Sequence, residues 1–333
     1  MAIMELDLKD RKLLFALEQD ARQTNVALSK VVGLAPDVIQ YRIDRLIDRG
    51  ILKFFVGYVN SARLGYMDYG LNFCTQRMTR AKEQAFVKFF INHPYCLYFG
   101  RSGGTYDYVA DILSRDPSSM MDLLTEITNT FSDFIYRQDV ITRISITHYP
   151  KQYLLDACKP PNPPTYFGGR IDQRVQIDET DDIILRILSK NARAKLIDIA
   201  KRVKLSDTAV RNRIRRMEQE ELITGYFAWI EPQLIGYQSI NLLLKHQNFR
   251  SSDEERLFEY CRTHRHITWL IKTLGIWDFE INVEVKTQED LQEVVYDLKD
   301  NFPGMIQRVE YAPVFSTLKY SFYPFSLAVQ AWL

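Results

Sequence analysis

Apolar positions along this chain follow two rhythms, one helical and one strand-like, and the same succession of rhythms occurs twice. Near the start, Leu13, Leu14 and Leu17, then Leu28, Val31 and Val32, then Ile39, Ile43 and Leu46 recur at helical spacing. The second occurrence has Ile184, Leu185 and Leu188, then Ile197, Ile199, Ala200 and Val203, then Val210, Ile214 and Met217. Asp178 with Asp181 three residues on, Ser206, and Pro36 are placed as helix starts. Tight turns at Gly33-Leu34 and Lys204-Leu205-Ser206 precede the third helix of each set. Short helices joined by a tight turn, the last one basic, are the helix-turn-helix pattern. The rhythm then changes. Trp277, Phe279, Ile281, Val283 and Val285 alternate with Asp278, Glu280, Asn282 and Glu284, which predicts a half-buried antiparallel strand with a solvated polar face. Leu291, Val294, Val295, Leu298 and Phe302 then mark one helix face, matched earlier by Met120, Leu123, Leu124, Ile127 and Phe131. With flanking elements, each copy predicts strand-helix-strand-strand-helix-strand, a ferredoxin-like sandwich of the α+β class.

The two copies are related by an offset of 171 positions, the step from Asp7 to Asp178. At that offset Ala21-Arg22 falls on Ala192-Arg193, Arg42-Ile43 on Arg213-Ile214, and Gly65-Tyr66 on Gly236-Tyr237, without gaps. Solenoid units are shorter, on the order of 20–50 residues. The chain therefore looks like two whole subunits fused into one. The expected division is a helix-turn-helix domain over 1–55, a ferredoxin-like domain over 56–155 and a Pro-rich linker over 156–176. A second helix-turn-helix domain spans 177–226, a second ferredoxin-like domain 227–325, and an apolar tail 326–333. Lys159-Pro160-Pro161-Asn162-Pro163-Pro164 reads as a stiff extended connection. The two sandwiches are expected to associate within the chain, with the strands around Tyr106–Leu113 and Trp277–Val285 at their interface.

A chain of 333 residues and formal net charge +1 has room for several cores, and its overall charge gives no reason to invoke nucleic acid. Any such signal must be local. No stretch approaches the roughly 18 apolar residues of a membrane span, and no signal peptide is evident. Cys74, Cys96, Cys158 and Cys261 form no CxxC pair, and a reducing cytoplasm is the expected location.

The local signal lies on the third helix of the second copy. With Val210 facing the core, a helical wheel turns Thr208, Arg211, Asn212, Arg215, Arg216 and Gln219 outward, with Ser206 at the helix entrance. Such side chains read base edges and hold phosphates. Lys201 and Lys204, with Lys195 and Arg202, sit where backbone phosphates would pass. Arg42 and Arg213 fall nearer the core edge and suit a structural role. The first copy presents Asp37, Gln40, Tyr41, Asp44, Arg45 and Asp48 at the equivalent places. Carboxylates there repel phosphates, although Asp can accept from cytosine N4. This helix is either a divergent reader or a structural or protein-contact surface.

Helix-turn-helix, then Gly225-Tyr226-Phe227-Ala228-Trp229 through Pro232 to Gly236-Tyr237, then a sandwich with Gly275-Ile276-Trp277-Asp278, together resemble the Lrp/AsnC family of bacterial and archaeal transcription regulators. The resemblance covers nearly the whole chain, twice. It implies double-stranded DNA as partner, no cofactor, assembly into homo-oligomers, and an amino-acid-like effector near the Gly-Xaa-aromatic-Asp turns. Gly104, Tyr106, Asp107, Gly275, Trp277 and Asp278 are the residues so implied. The same residues equally suit a plain turn before a strand, with glycine for positive φ and aspartate closing the turn.

Catalytic constellations are thin. No P-loop, nucleophile elbow or paired-carboxylate motif occurs. Cys261, His264 and His266 lack a clear fourth metal ligand, so no metal site is expected. The architecture is also similar to that of siroheme decarboxylases, for which His93, His148, His246, His264 and His266 would be raw material. A protein-interaction module without a DNA role is the third alternative.

Overall fold

The computed structural model describes residues 3–155 and 164–323. The first copy runs α1 (Leu8–Gln19), α2 (Asn25–Val32), α3 (Pro36–Asp48), β1 (Leu52–Val59), β2 (Met67–Thr75), α4 (Arg80–Asn92), β3 (Cys96–Ser102), β4 (Tyr108–Ser114), α5 (Pro117–Phe131) and β5 (Ile135–His148). A short strand β6 (Thr165–Gly168) follows. The second copy is α6 (Glu179–Leu188), α7 (Leu196–Val203), α8 (Asp207–Gln219), β7 (Ile223–Ile230), β8 (Gln238–His246), α9 (Ser251–Thr263), β9 (Ile267–Leu274), β10 (Phe279–Val285), α10 (Gln288–Asn301) and β11 (Ile306–Tyr320).

Local chemistry explains the helix ends. Asp7 caps α1 by accepting from the Asp10 amide, and Asp178 with Asp181 forms a reciprocal capping box on α6. Thr24 caps α2 and Ser206 caps α8. Gly33 ends α2 in the left-handed region at φ +72°, whereas Lys204 takes that conformation after α7 at φ +56°. A side chain there costs roughly 1–2 kcal/mol, so the second turn is the more strained.

β1 and β7, equivalent strands of the two copies, pair antiparallel as a two-stranded ribbon. Each helical domain packs on the other copy's strand. The core around Leu13, Leu17 and Leu46 takes in Ala228 and Ile230, while that around Leu185, Ile214 and Met217 takes in Val59. Arg22 and Arg193 complete the exchange. Arg22 Nη1 donates to Ala192 O at 2.5 Å, and Arg193 Nη1 donates to Ala21 O at 2.8 Å.

Each copy's four main strands adopt the ferredoxin-like order, β5-β2-β4-β3 and β11-β8-β10-β9. The sheets join edge to edge through β3–β11 and β5–β9, closing an eight-stranded ring with α4, α5, α9 and α10 outside. The interface thus differs from the expected one. β4 and β10 are central strands, paired on both sides within their own copy, so only β3, β5, β9 and β11 have free edges to offer. β5 and β11 serve both copies. β5 pairs β2 over Ile135–Arg143 and then β9 over Thr142–His148.

The connection between the copies is also partly corrected. Residues 159–163 of the proline run and the 326–333 tail lie outside the described residues. From Thr165, however, the segment is a strand on β5, with Phe167 buried among aromatic rings and the Gly168 amide donating to Asn60 Oδ1 at 3.0 Å.

Because the ring closes through backbone pairing between copies, proteolytic cleavage within 159–163 should leave both halves in one particle. Size-exclusion chromatography at micromolar concentration checks this; clean separation would show that the seam does not hold without the connection.

Candidate nucleic-acid interface

α8 presents one continuous polar face. Val210, Ile214 and Met217 are buried, while Thr208, Arg211, Asn212, Arg215 and Gln219 are exposed. Among the described residues, none of those five side chains has a hydrogen-bond or salt-bridge partner. Lys201, Arg202 and Lys204 are exposed at the end of α7, and Ser206 Oγ is occupied in capping, accepting from Ala209 N at 3.2 Å. The site is an exposed cationic comb at the mouth of a helix-turn-helix.

Arg216 departs from expectation. Instead of facing outward it turns back to the fully buried Asp181 and also lies 3.7 Å from Glu220. Arg213 donates to Asp178 at 2.7 Å and to Asp181 at 2.9 Å, the structural role expected of it. The first copy repeats this clamp with Arg42 on Asp7 and Asp10, and Arg45 on Asp10 at 2.5 Å. A buried carboxylate needs compensating charge, and both arginines supply it. The signal was present in sequence as Asp10 and Asp181 at matching places, each on the apolar side of its helix.

α3 carries a different face. Asp37, Gln40, Tyr41, Asp44 and Asp48 are exposed, but Gln40 is tied to Asn25 and Asp44, both at 2.8 Å. Its acids leave it without the comb that α8 has.

The Gly-Xaa-aromatic-Asp turns lie at the ends of the copy-to-copy seam. A side chain at Gly104, φ +71°, would strike the Tyr311 carbonyl of β11 at 2.4 Å, and Gly103 N donates to Pro313 O. Asp107 accepts from Thr75 N at 2.6 Å, and Asp278 accepts from His246 N at 2.9 Å and Lys245 Nζ at 2.8 Å. Tyr106 and Trp277, two of the residues implied for an effector site, are buried against each other. Trp277 Nε1 donates to Tyr106 Oη at 3.2 Å, and Tyr106 donates to Asp139 at 2.7 Å. Two apolar rings related by the pseudo-twofold axis are better covered by one another than by water.

The five histidines do not converge. His93 is held down to about 4 by burial and by Lys319, and His264 to about 4 by burial and its neighbour His266. His246 sits beside Asp278, and only His148 reaches the interior of the barrel. Cys261 is fully buried with its thiol pushed up by desolvation, away from any ligand geometry. Among the described residues no three His, Cys, Asp or Glu side chains are grouped for a metal.

Sequence reasoning missed the interior. A cavity of about 550 Å³ fills the space between the ring and the β1–β7 ribbon. Glu280, Asn282 and Glu284, read as a solvated strand face, point into it, as do Asp68, Asp111 and Arg143. Alternation alone cannot tell solvent from a polar interior; the signal available was the unusual density of charge on otherwise apolar strands.

A basic third helix set on a two-copy α+β scaffold defines a protein of helix-turn-helix architecture. Known proteins agree. The winged helix-turn-helix DNA-binding family matches residues 6–53, and the AsnC-type helix-turn-helix domain matches 177–218. The transcriptional regulator LrpA of Pyrococcus horikoshii is 38% identical over 90 residues, 26% of this chain and 64% of that protein. An uncharacterized helix-turn-helix regulator of the same organism, PH0045, is 31% identical over 127 residues, 38% of this chain and 82% of that protein. The chain thus spans somewhat less than two thirds of the LrpA length and most of PH0045. It belongs to the Lrp/AsnC family of helix-turn-helix transcriptional regulators, as a tandem fusion. The crystal structure of the siroheme decarboxylase NirDL overlays nearly end to end, with TM-score 0.59 and 12% identity over 95% of this chain and 94% of that one. At that identity the likeness is one of fold.

Arg216→Ala should lower stability by about 1–3 kcal/mol, because Asp181 loses a charge-assisted partner. Arg215→Ala should stay within about 0.5 kcal/mol of the parent. Urea unfolding of the two variants checks the difference, and equal destabilisation would contradict the division of roles.

Proposed function

We propose that this protein is a sequence-specific, double-stranded-DNA-binding transcription regulator that reads its operator with α8. The observation that carries the reading is the exposed set Thr208, Arg211, Asn212, Arg215 and Gln219, unpaired among the described residues beside exposed Lys201 and Lys204. Arg can fork onto guanine, and Asn or Gln onto adenine. α3 serves as a structural or protein-contact helix, since its acids oppose phosphate approach.

Two further parts of the reading concern assembly and regulation. Val140 and Ile144 on β5, with Leu274 and Ile276 at the end of β9, form an exposed apolar set that suits association between chains. An amino-acid-like effector would sit at the outer side of the exposed Gly104 and Gly275 turns, with Asp107, Asp278 and the buried Tyr106 and Trp277 fixing their shape from behind. Cys74, Cys96 and Cys261 are free and buried, in keeping with a reducing cytoplasm. Among the described residues no helix is long and apolar enough to cross a membrane.

The fold shared with NirDL motivates one alternative, an enzyme acting on a tetrapyrrole. The cavity argues against it. Its wall carries seven carboxyl groups against five basic side chains and so offers no surplus of cations to match a polycarboxylate. A Soret-region titration with an iron porphyrin separates the two readings, since only the enzyme would give a stoichiometric spectrum.

Arg215→Ala should cost about 1–3 kcal/mol of affinity at a cognate site if it reads a base. Arg45→Ala, already committed to Asp10, should leave DNA affinity largely unchanged; equal losses in gel-shift titrations would remove the asymmetry.

With one competent reading helix per chain, the operator should be a palindrome bound by an even number of chains. Its half-sites would lie about one turn or a multiple apart. Footprinting with light scattering of the complex tests this; one chain protecting one short asymmetric site contradicts it.

A further inference from the structure

The cavity inside the ring carries chemistry that DNA reading does not use. Around Arg143 stand three carboxylates. Glu280 lies 3.1 Å from Nη2, Asp111 is in contact with Nη1, and Asp68 is Arg143's cross-strand partner, with its Oδ1 bonded to nothing among the described residues. Further along, Lys151 Nζ is shared by Glu284 at 2.8 Å and Glu18 at 3.5 Å. The deep wall thus has five carboxylates and two cations. Aromatic rings, chiefly Phe54, Trp229, Tyr320, Trp269 and Phe227, share the rest of the wall with aliphatic and polar side chains and with Asp48, Arg49, Lys53, Arg101 and Glu231. Trp229 and Tyr320 lie 4.5 Å apart, and His148 packs 4.4 Å from Trp269. His148 is 2% exposed, lines the cavity, and has no hydrogen-bond partner among the described residues. Burial and the nearby Lys151 hold it well below its ordinary range, so it stands neutral, an available acceptor.

The charges are not a relic of the repeat. At the 171-residue offset Asp68 faces Ser239, Asp111 faces Asn282, Glu280 faces Val109, Glu284 faces Leu113 and Arg143 faces Val314. One copy of each position is charged and the other neutral. Buried ion pairs seldom stabilise a fold relative to apolar packing, so a lopsided set with excess acid points to something other than stability.

We propose that this cavity is a binding site for a small organic cation, an ammonium group carried on an apolar body. Aromatic faces attract a cation through their quadrupole, and the excess carboxylates complete its charge. An anion finds no surplus of positive charge on the wall. A metal ion fits poorly, because the carboxylates surround Arg143 and Lys151 instead of converging on a common point, and no metal-type grouping occurs among the described residues. About 550 Å³ is within the range of small-molecule pockets.

Proton linkage gives the site a signature. Burial and the neighbouring Asp111 push Asp68 up to about 8, and burial pushes Glu18 up to about 7. Asp68 faces Asp111, Arg143 and Glu280, with the Tyr98 and Tyr320 phenols near them; Glu18 faces Lys151 and Glu284, with Tyr153 on Glu284. In the empty cavity these acids hold protons near neutrality. A cation favours their ionised forms, so binding releases protons and tightens as pH rises through this window. The site is independent of the DNA reading, and its test uses the protein alone.

Trp229 and Trp269 report on the cavity, so the full chain can be titrated by tryptophan fluorescence with benzyltrimethylammonium, whose charge does not change with pH. Benzyl alcohol and benzoate serve as neutral and anionic controls. Saturable quenching by the ammonium alone is expected, tightening by up to about tenfold per pH unit between about pH 6.5 and 8.5. Asp68→Asn, at a side chain with a free carboxylate oxygen, should weaken binding about tenfold and flatten that pH dependence. Trp269→Leu should weaken it without changing the pH profile. A thermal shift by the ammonium, lost in Asp68→Asn, is the second readout. Absence of both responses at millimolar ammonium, or benzyl alcohol or benzoate binding as tightly, overturns the proposal.

Discussion

Each half of this chain makes a four-strand sheet whose two outer strands present unpaired amides and carbonyls. An open edge is an invitation to aggregate, and the molecule meets it by giving each edge to the other half. β3 is covered by β11, and β9 by β5, so the ring closes and no edge of the eight is left bare. Everything else is hung on that exchange. The long strands β5 and β11 leave one sheet and enter the other, which holds the halves in one register. The β1–β7 ribbon lies across the ring, and each helical domain rests on the other copy's ribbon strand. Neither half could keep this arrangement alone.

Fusion changes what such an arrangement permits. When identical subunits pair, a substitution appears on both sides of the axis, and a charge introduced into the shared interior meets its own copy. Two carboxylates brought together in a low-dielectric space repel strongly. On a single chain the two positions are free to differ. Asp111 can stand opposite a neutral Asn282, and Glu280 opposite Val109. The same freedom separates α3 from α8. Asp44 has appeared where α8 keeps Arg215, while the buried clamps of Asp10 and Asp181 have stayed alike because both hold a helix to its core.

Much of this was legible in the residues. Helical spacing located all six helices of the two helix-turn-helix units, and the Asp178–Asp181 and Pro36 starts were visible as capping chemistry. The strand-helix order of each sandwich was visible too. Three things were not, each for a physical reason. Periodicity assigns a side chain to one of two faces but does not say what covers the face, so the Glu280–Glu284 face was taken for solvent. A helical wheel gives direction, yet a long arginine such as Arg216 can curl back to a buried acid that the wheel ignores. Pairing partners between sheets depend on which strands remain edges, and that is a property of topology, invisible to a strand's own composition. Tyr106 and Trp277 show the same limit. Beside a turn they look like the walls of a site, but at a pseudo-twofold axis each is the other's covering.

The interior and the two helical domains are linked by short physical paths. Glu18 belongs to α1, yet its carboxylate accepts from the Lys151 amide at 2.7 Å, beyond the end of β5. Asp48 and Arg49, at the end of α3, line the same cavity, as do Phe54 and Trp229 from the two ribbon strands. The first helical domain therefore contributes wall to a chamber floored by the ring. The second domain meets that ribbon from the other side, with α6 against β1 and Arg193 over the ring of Phe55. The chamber, the ribbon and both helical domains thus share one continuous set of contacts. The first half, whose α3 lacks the basic comb of α8, supplies wall to the interior and part of the ribbon on which the second helical domain rests.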